Sequence, residues 1–533
     1  KNINVTELGN AIGSIPFFNE LIEKVVIPSE QQYSNDIKEN NLISLRDCMI
    51  NINRLVNENK ISGKGLDYKY VFIDEFQDTD DVQIETILGL QKIFGDQCRL
   101  FIVGDLKQSI YRFRGATLSA FTKVEKENLD WVKYSLNRNY RTDGRLLDLF
   151  DSAFSDMGDQ DLLPYKEIDK LTSRIQKEYP DDQLVRKIET KSKDREQFFE
   201  DLFKEIEYQK QEIEALTNTK KLSKEEKTIA ILVRYNYQIA NIVKASESTD
   251  LLIKVSEGGK LFRLTSTVDL YKLVLAVTHP YNKVYLANLI ESNYMSVKIK
   301  QAGLRGHSST DKVSELVRIL DEYFMLLIGK KWNDLIADFE TRPVLVVLRD
   351  IYEHSKPWIT YSSKQDYQLE YRINYECLLE KITQKYAREY LTINMIEEFL
   401  KINITTYQEE ASRKKEQDSN DITIICTTIH KSKGLEYGTV ILPYTSDDIS
   451  NTYHSGLGVN IVDGKVRYSF GSGNGNMDYS EGYQVDSESL EQEREESRIL
   501  YVAMTRAIRN LVWFKDLDCR AQECWGNYLE VIE

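Results

Sequence analysis

The feature that most constrains this chain is a short apolar run that stops abruptly on acid. In "YKYVFIDEFQDTD" (residues 68–80), four apolar residues lead straight into Asp74 and Glu75. A second run of the same build, "RLFIVGD" (99–105), breaks at Gly104–Asp105. Apolar runs this short and unalternating, bounded by charge or glycine, read as strands buried on both faces. A chain of 533 residues is too long for one core, so such strands are expected in more than one domain.

A buried strand that delivers an acid at its end suits the magnesium-binding half of a nucleotide-hydrolysing site, as in triphosphatases of the P-loop class. Asp74 is expected to hold Mg²⁺, and Glu75 to polarise the attacking water. A lone acidic pair after a strand is more often just an exposed strand end; "DEFQDTDDVQ" is far more specific. The other half of such a site is a phosphate-binding loop, G-x-x-x-x-G-K-[ST]. "SGKG" (62–65) only imitates it: Glu58 stands where the first glycine belongs and Gly65 where the hydroxyl belongs. It also runs into a strand, whereas a phosphate loop opens a helix. Ser62–Gly65 is expected to be a turn, and no other segment of these residues matches the motif. Since residue 1 is Lys, the chain is expected to begin inside a longer protein.

The stretch after the second strand, "DLKQSIYRFRGA", sets Gln108 where it can touch a γ-phosphate and then interleaves aromatics with arginine. Tyr111, Phe113 and Arg114 suit stacking on unpaired bases and contact with phosphates. Core packing is the serious rival for each ring. A formal net charge of −15 argues against a protein that simply coats nucleic acid, though its 70 Lys and Arg allow a local basic groove. The six cysteines lack any C-x-x-C and the five histidines any metal-ligand spacing. That pattern reads as free thiols of a reducing compartment. With no signal peptide and no membrane-length apolar run, a cytoplasmic protein is expected.

Three further segments complete a series: "SLNRNYRT" (135–142), "TTIHKSKGLEYGTVILP" (427–443) and "EESRILYVAMTRA" (495–507), the last read as a helix ending in Arg506. With "DEFQDT" and "GDLKQSIYRFRGA", in this order, they resemble motifs II to VI of the UvrD/Rep-like branch of superfamily 1 helicases. "TIAILVRYNYQ" (228–238) and "GGKLF" (258–262) match weaker family positions. The likeness runs from about residue 65 to 515 and is thin between 291 and 420.

The resemblance implies an α/β chain with two RecA-like parallel-sheet domains, the first incomplete, and a mostly helical 2B-type insertion in the second. Residues 1–60 would be a helical remnant of domains 1A and 1B, and 61–135 the C-terminal part of 1A. Domain 2A would comprise 136–290 and 421–533, with the insertion at 291–420. The Gly-rich "FGSGNGNMDYSEG" (470–482) reads as a mobile surface loop, and "EEASRKKEQDSND" (409–421) as a solvated linker.

The resemblance also implies roles, position by position. Asp74 and Glu75 become magnesium ligand and catalytic base, and Gln77 and Gln108 sense the γ-phosphate. Tyr140 stacks on adenine. Arg141 and Arg506 become arginine fingers. Glu436 contacts the ribose, and Gly434 the nucleotide or its neighbouring loop. Tyr111, Phe113, Arg114 and His430 lie on the DNA track; the family usually has Trp where Phe113 stands. The family's phosphate-loop Lys and Ser/Thr have no counterpart in these residues. ATP and Mg²⁺ are the implied cofactors, and single-stranded or partly duplex DNA the implied substrate.

Two functions follow as expectations. One is an ATP-dependent helicase or translocase moving 3′ to 5′, in DNA repair or in anti-phage defence. The other is a catalytically incomplete helicase-like subunit that binds DNA or acts as a scaffold in a nuclease complex. With 27 residues after Arg506, any nuclease is expected on a partner subunit.

Overall fold

The computed structural model describes residues 22–39, 42–61, 68–95, 98–111, 121, 124, 132–173, 184–191, 195–255, 261–297, 309–406, 422–449, 456–462, 465–471, 477–479, 485–518, 521 and 523–532. The expected turn at Ser62–Gly65, the linker at 409–421, and Phe113 and Arg114 lie outside the described residues. The chain divides into two compact units. One combines residues 1–255 with 422–533, and the other is 256–421.

The first unit opens with helices α1 (Ile27–Glu39) and α2 (Leu45–Asn57), the latter capped by the Ser44 hydroxyl accepting from the Asp47 N–H at 3.0 Å. Strand β1 (Tyr70–Ile73), helix α3 (Asp81–Phe94) and strand β2 (Arg99–Ile102) follow. An Asp80–Gln83 capping box starts α3. The strands pair in parallel, Tyr70 opposite Arg99 and Ile73 opposite Ile102. One face packs Ile73 and Ile102 against Phe76, Ile84 and Leu88. The other face is open, which corrects the expectation of a strand pair buried on both sides. Phe72 is 73% exposed, its ring stacked on Phe101 at 4.9 Å, with Tyr70 and Val103 exposed beside them. Among the described residues these two strands form a sheet by themselves.

Beyond β2 come β3 (Arg138–Asn139), α4 (Gly144–Asp159), and β4 (Thr172–Ser173), which pairs with β3. Then follow β5 (Val185–Thr190), α5 (Arg195–Thr219), β6 (Thr228–Val233), α6 (Asn236–Ser246) and β7 (Ile253–Val255).

The second unit is helical: α7 (Thr265–Thr278), α8 (Lys283–Glu291), α9 (Ser309–Ile328), α10 (Trp332–Thr341), α11 (Val344–Ser355), α12 (Gln365–Lys385) and α13 (Ile393–Thr405). Its core joins Leu270, Leu273 and Leu286 to Leu320, Trp332, Ile351, Tyr375 and Leu400. The unit therefore begins at Ser256 rather than at the boundary expected after 290, because α7 and α8 bury their apolar faces in this core.

The first unit resumes with β8 (Thr423–Thr428), α14 (Ile429–Ser432) and β9 (Tyr437–Leu442). Next comes an antiparallel sheet of β10 (Gly456–Val462), β11 (Lys465–Gly471) and β12 (Met477–Tyr479). The glycine-rich stretch read as a loop thus contributes paired strand: Phe470 and Gly471 oppose Asp478 and Met477, satisfying backbone groups that a loop would leave to water. Helix α15 (Val485–Met504) then turns at Thr505–Arg506 into β13 (Ala507–Asp516).

Six strands form a parallel sheet in the order β5–β13–β9–β6–β8–β7. Every residue of β6 and β9 is buried. Alternate residues serve two cores: Ala230, Leu232, Val440 and Trp513 face α4 and α15, while Ile229, Ile231, Ile441 and Phe514 face α5 and α6. That is the arrangement expected of a parallel sheet with helices on both sides.

Candidate nucleotide and strand site

The junction between the two sheets gathers most of the candidate residues. At the end of β1, Asp74 and Glu75 are exposed, and Asp74 Oδ1 accepts the Glu75 N–H at 2.9 Å. Glu75 adopts φ of +51°, a left-handed conformation that costs a non-glycine residue on the order of 1 kcal/mol or more. Gln77 is buried and supplies the opposing restraint. Its amide donates to Glu75 Oε2 at 2.5 Å, and its carbonyl oxygen accepts the Asp105 N–H at 2.9 Å. Gly104 allows this approach, since a Cβ there would lie 2.5 Å from Gln77 Oε1. In this state the amide of Gln77 is committed to holding the two strand ends together.

Gln108 closes a short 3-10 turn (Leu106–Gln108) and donates to Asp105 Oδ2 at 3.0 Å. Lys107 sits between Asp105 at 2.8 Å and Asp169 at 3.0 Å. Burial pulls its pKa down, but the two carboxylates outweigh that and hold it above the ordinary lysine value.

Two cations come from later in the first unit, one after β3 and one before β13. Arg141, just after β3, donates through Nε to Glu436 at 2.5 Å and through Nη1 to the Thr505 carbonyl at 3.3 Å. Arg506, in the turn between α15 and β13, is 2% exposed. Its Nε donates to the Val502 carbonyl, Nη1 to the Leu435 carbonyl and Nη2 to the Thr505 hydroxyl. Burial, then the neighbouring Arg141 guanidinium, lower its pKa to about 10, while Glu75 acts in the opposite direction. Arg141, Arg506 and Glu436 thus share one cluster, and the Glu75 carboxylate bears on it electrostatically. Tyr140 is 69% exposed, with an open ring face. Gly434 has φ of +79°, which ends the "HKSKG" turn in a conformation that glycine adopts without strain.

On the proposed strand track, the Tyr111 ring is half buried. Its hydroxyl donates to the His430 carbonyl at 3.2 Å, and Lys433 Nζ lies 5.0 Å from its centroid. It packs against the core shared by α4 and the six-stranded sheet, so the core-packing reading describes this ring in the present state. His430 Nε2 meets the Ile110 carbonyl at 3.2 Å.

Lys433 has no role in the sequence reading, although it lies inside the "HKSKGLE" motif. Its Nζ lies 2.8 and 2.6 Å from the two Asp78 oxygens and donates to the Gln108 carbonyl at 2.8 Å. One cation therefore ties the motif after β1 and the motif after β2 to the six-stranded sheet. Arg498, buried in α15, makes a parallel link by donating to the Ser109 carbonyl at 2.8 Å. The available signals were an acid a few residues past the end of β1 and a lysine between His430 and Glu436.

For a metal, the donor chemistry is hard oxygen. Asp74 and Glu75 offer exposed carboxylates, which fits Mg²⁺ held by one or two carboxylates together with substrate phosphates. Among the described residues no group of three or more His, Cys, Asp or Glu could hold a metal without such help. No helix among them is long and apolar enough to cross a membrane.

Two parallel sheets meet at a polar junction, with acid from one and buried arginine from the other, in an α/β protein. A family profile described as "UvrD/REP helicase N-terminal domain" matches residues 14–128, and one described as "UvrD-like helicase C-terminal domain" matches residues 134–515. This chain belongs to the UvrD-like helicase family. Its relatives include an ATP-dependent helicase/nuclease subunit of Listeria monocytogenes, 23% identical over 490 residues that cover 84% of this chain and 39% of that protein. The protein of the same name from Staphylococcus aureus is 26% identical over 505 residues, covering 83% of this chain and 39% of its own length. The chain thus spans about two-fifths of the curated relatives it matches, and the count of residues after Arg506 places no nuclease.

Proposed function

We propose that this chain is the motor portion of an ATP-driven translocase that moves 3′ to 5′ on single-stranded DNA. The observation that carries the reading is the cluster of Arg506, just before β13, with Arg141, just after β3, joined through Thr505 and within the electrostatic reach of Glu75 at the end of β1. Phosphoryl transfer depends on neutralising charge and placing the attacking water more than on covalent help. In this reading Glu75 orients the water, Asp74 holds Mg²⁺, and Arg141 and Arg506 meet charge on the γ-phosphate. Gln77 and Gln108 report the state of the phosphates to the strand track, and Tyr140 offers its open face to adenine. Gly434 and Glu436 complete the nucleotide's surroundings, with Glu436 exchanging Arg141 for the ribose. Mg²⁺ held there would supply neutralisation of phosphate charge. Closure of the junction on nucleotide couples hydrolysis to the grip on DNA, with Lys433 transmitting the movement between sheets.

The open face of β1–β2 favours a condition on this activity. A parallel pair with Phe72 and Phe101 in water is a sheet awaiting a further layer. The missing phosphate loop, and with it turnover, is assigned to whatever completes that sheet in the assembled protein. The same observation is the strongest support for the second reading, a helicase-like subunit that works as the DNA-holding scaffold of a nuclease complex. The relatives' names speak of a helicase/nuclease. They lend no support to an anti-phage setting.

The deciding experiment is strand-stimulated ATPase of the full-length protein beside its Glu75→Gln variant. The variant is expected to bind Mg²⁺–ATP normally and to lose turnover. Near-normal turnover in the variant removes Glu75 from the site; no strand-stimulated turnover in the parent protein favours the scaffold reading.

A further inference from the structure

The segment from the end of β6 into the first turn of α6 carries "RYNYQ", and it presents two tyrosine rings to solvent at the carboxyl end of the six-stranded sheet. The rings of Tyr235 and Tyr237 are nearly parallel, 13° apart with centroids separated by 5.6 Å, and are 46% and 60% exposed. Exposed aromatic side chains usually keep rotamer freedom; these stand on a turn that is fastened from several sides. The buried Gln238 accepts both the Arg234 and the Tyr235 N–H through Oε1, at 3.0 and 2.9 Å, and donates to Asp447 at 3.0 Å. The Arg234 guanidinium lies 5.2 Å from the Tyr235 centroid and is itself held by the buried Glu496 at 2.8 Å. Its Nη1 lies 3.5 Å from His430 Nδ1, so the pair adjoins a residue already placed on the strand track.

We propose that Tyr235 and Tyr237 form a rigid stacking platform for the bases of a single nucleic-acid strand, extending the track beyond His430. The proposal rests on the strand-binding reading above. The local charge selects bases over phosphates: Asp447 acts on both tyrosines, and Arg234 is neutralised by Glu496. A phosphate gains little there, whereas every base offers a neutral ring face that stacks on an aromatic side chain. Fixing the rings beforehand lowers the entropy lost on binding.

The test measures binding of fluorescent oligothymidylate to the full-length protein over a series of salt concentrations, with Tyr237→Ala, Tyr235→Ala and the corresponding Phe variants. Each Ala variant is expected to weaken binding by about fivefold or more, and each Phe variant to restore it. The slope of affinity against salt should not change, because no phosphate contact is lost. Against an abasic strand of equal length, parent and Ala variants should bind alike. A parent protein that binds the strand tightly while the Ala variants bind equally well overturns the platform and leaves the strand-binding reading intact. A reduced salt slope, or an equal loss on the abasic strand, overturns it in favour of a phosphate contact. A parent protein that binds no strand overturns both.

Discussion

The two parallel sheets of the first unit start from the same kind of sequence and end in opposite environments. "YVFI" and "RLFI" are as apolar as "TIAILV" and "YGTVIL". In the six-stranded sheet each apolar residue meets helices on one side or the other, and β6 and β9 are wholly buried. In the two-stranded sheet only Val71, Ile73, Leu100 and Ile102 turn inward, while Phe72 and Phe101 stack on each other in water. The contrast extends to the candidate chemistry. Asp74 and Glu75 leave the open sheet exposed, and Arg506 enters the closed sheet buried. Apolar content says that a strand wants two covered faces; which faces are covered is decided by what packs against them in the folded chain.

The sharpest way to break this comparison is at Arg506, where buried charge and proposed chemistry coincide. Its pKa of about 10 lies below the unfolded value, because burial and then Arg141 disfavour the cation. The folded protein therefore gives up this proton before the unfolded chain does, and the group's contribution to stability improves as pH rises through about 10 and beyond. Arg506→Met is expected to cut strand-stimulated turnover by about 10³-fold or more, with a smaller loss of stability, about 1–3 kcal/mol, from the Val502 and Leu435 carbonyls left without this donor. A large fall in melting temperature with turnover preserved would make Arg506 a structural residue.

Next in size is the core of the closed sheet. Trp513→Ala removes a fully buried ring from β13 and should destabilise the first unit by about 3–5 kcal/mol, read from urea unfolding. A cost near zero would mean that the sheet is not packed on both faces.

The link between the sheets ranks third. Lys433→Met leaves Asp78 and the Gln108 carbonyl without this ammonium. The expected loss is about 1–3 kcal/mol, with strand binding retained and its stimulation of ATPase reduced. Full stimulation in this variant would show that Lys433 does not transmit movement.

The smallest effect is expected on the open face. Phe72→Ser should change the stability of this chain by no more than about 0.5 kcal/mol. In the full-length protein, where a further layer is proposed to cover the ring, the same change should cost more. Equal, small effects in both would mean the face stays open, and would weaken the reading of a completed first sheet.

Much of this was legible in local sequence. Short apolar runs mark β1 and β2 because a strand's side-chain pattern is a local property. The acid after β1 and the arginine after α15 were visible because strand and helix ends are where such groups emerge. Gly104 and Gly434 stand where backbone crowding or a positive φ requires glycine, so their positions also carried meaning. The strands around 470–479 were not legible, since glycine obscures alternation and the pairing of Phe470 with Asp478 spans a break in the pattern.

What the sequence by itself determined is the family, the order of the motifs and the residue types available for chemistry, all of which depend on neighbours along the chain. Only the tertiary structure decided which of those residues are already engaged: Gln77 with Glu75 and Asp105, Arg141 with Glu436, Tyr111 beneath Lys433. It alone placed α7 and α8 with the helical unit, and it alone left one face of β1–β2 in water. The physical reason is the same in each case. Burial and pairing are set by groups hundreds of residues away, as Lys433 is from Asp78, and a partner brought close only by folding leaves no mark on the local pattern.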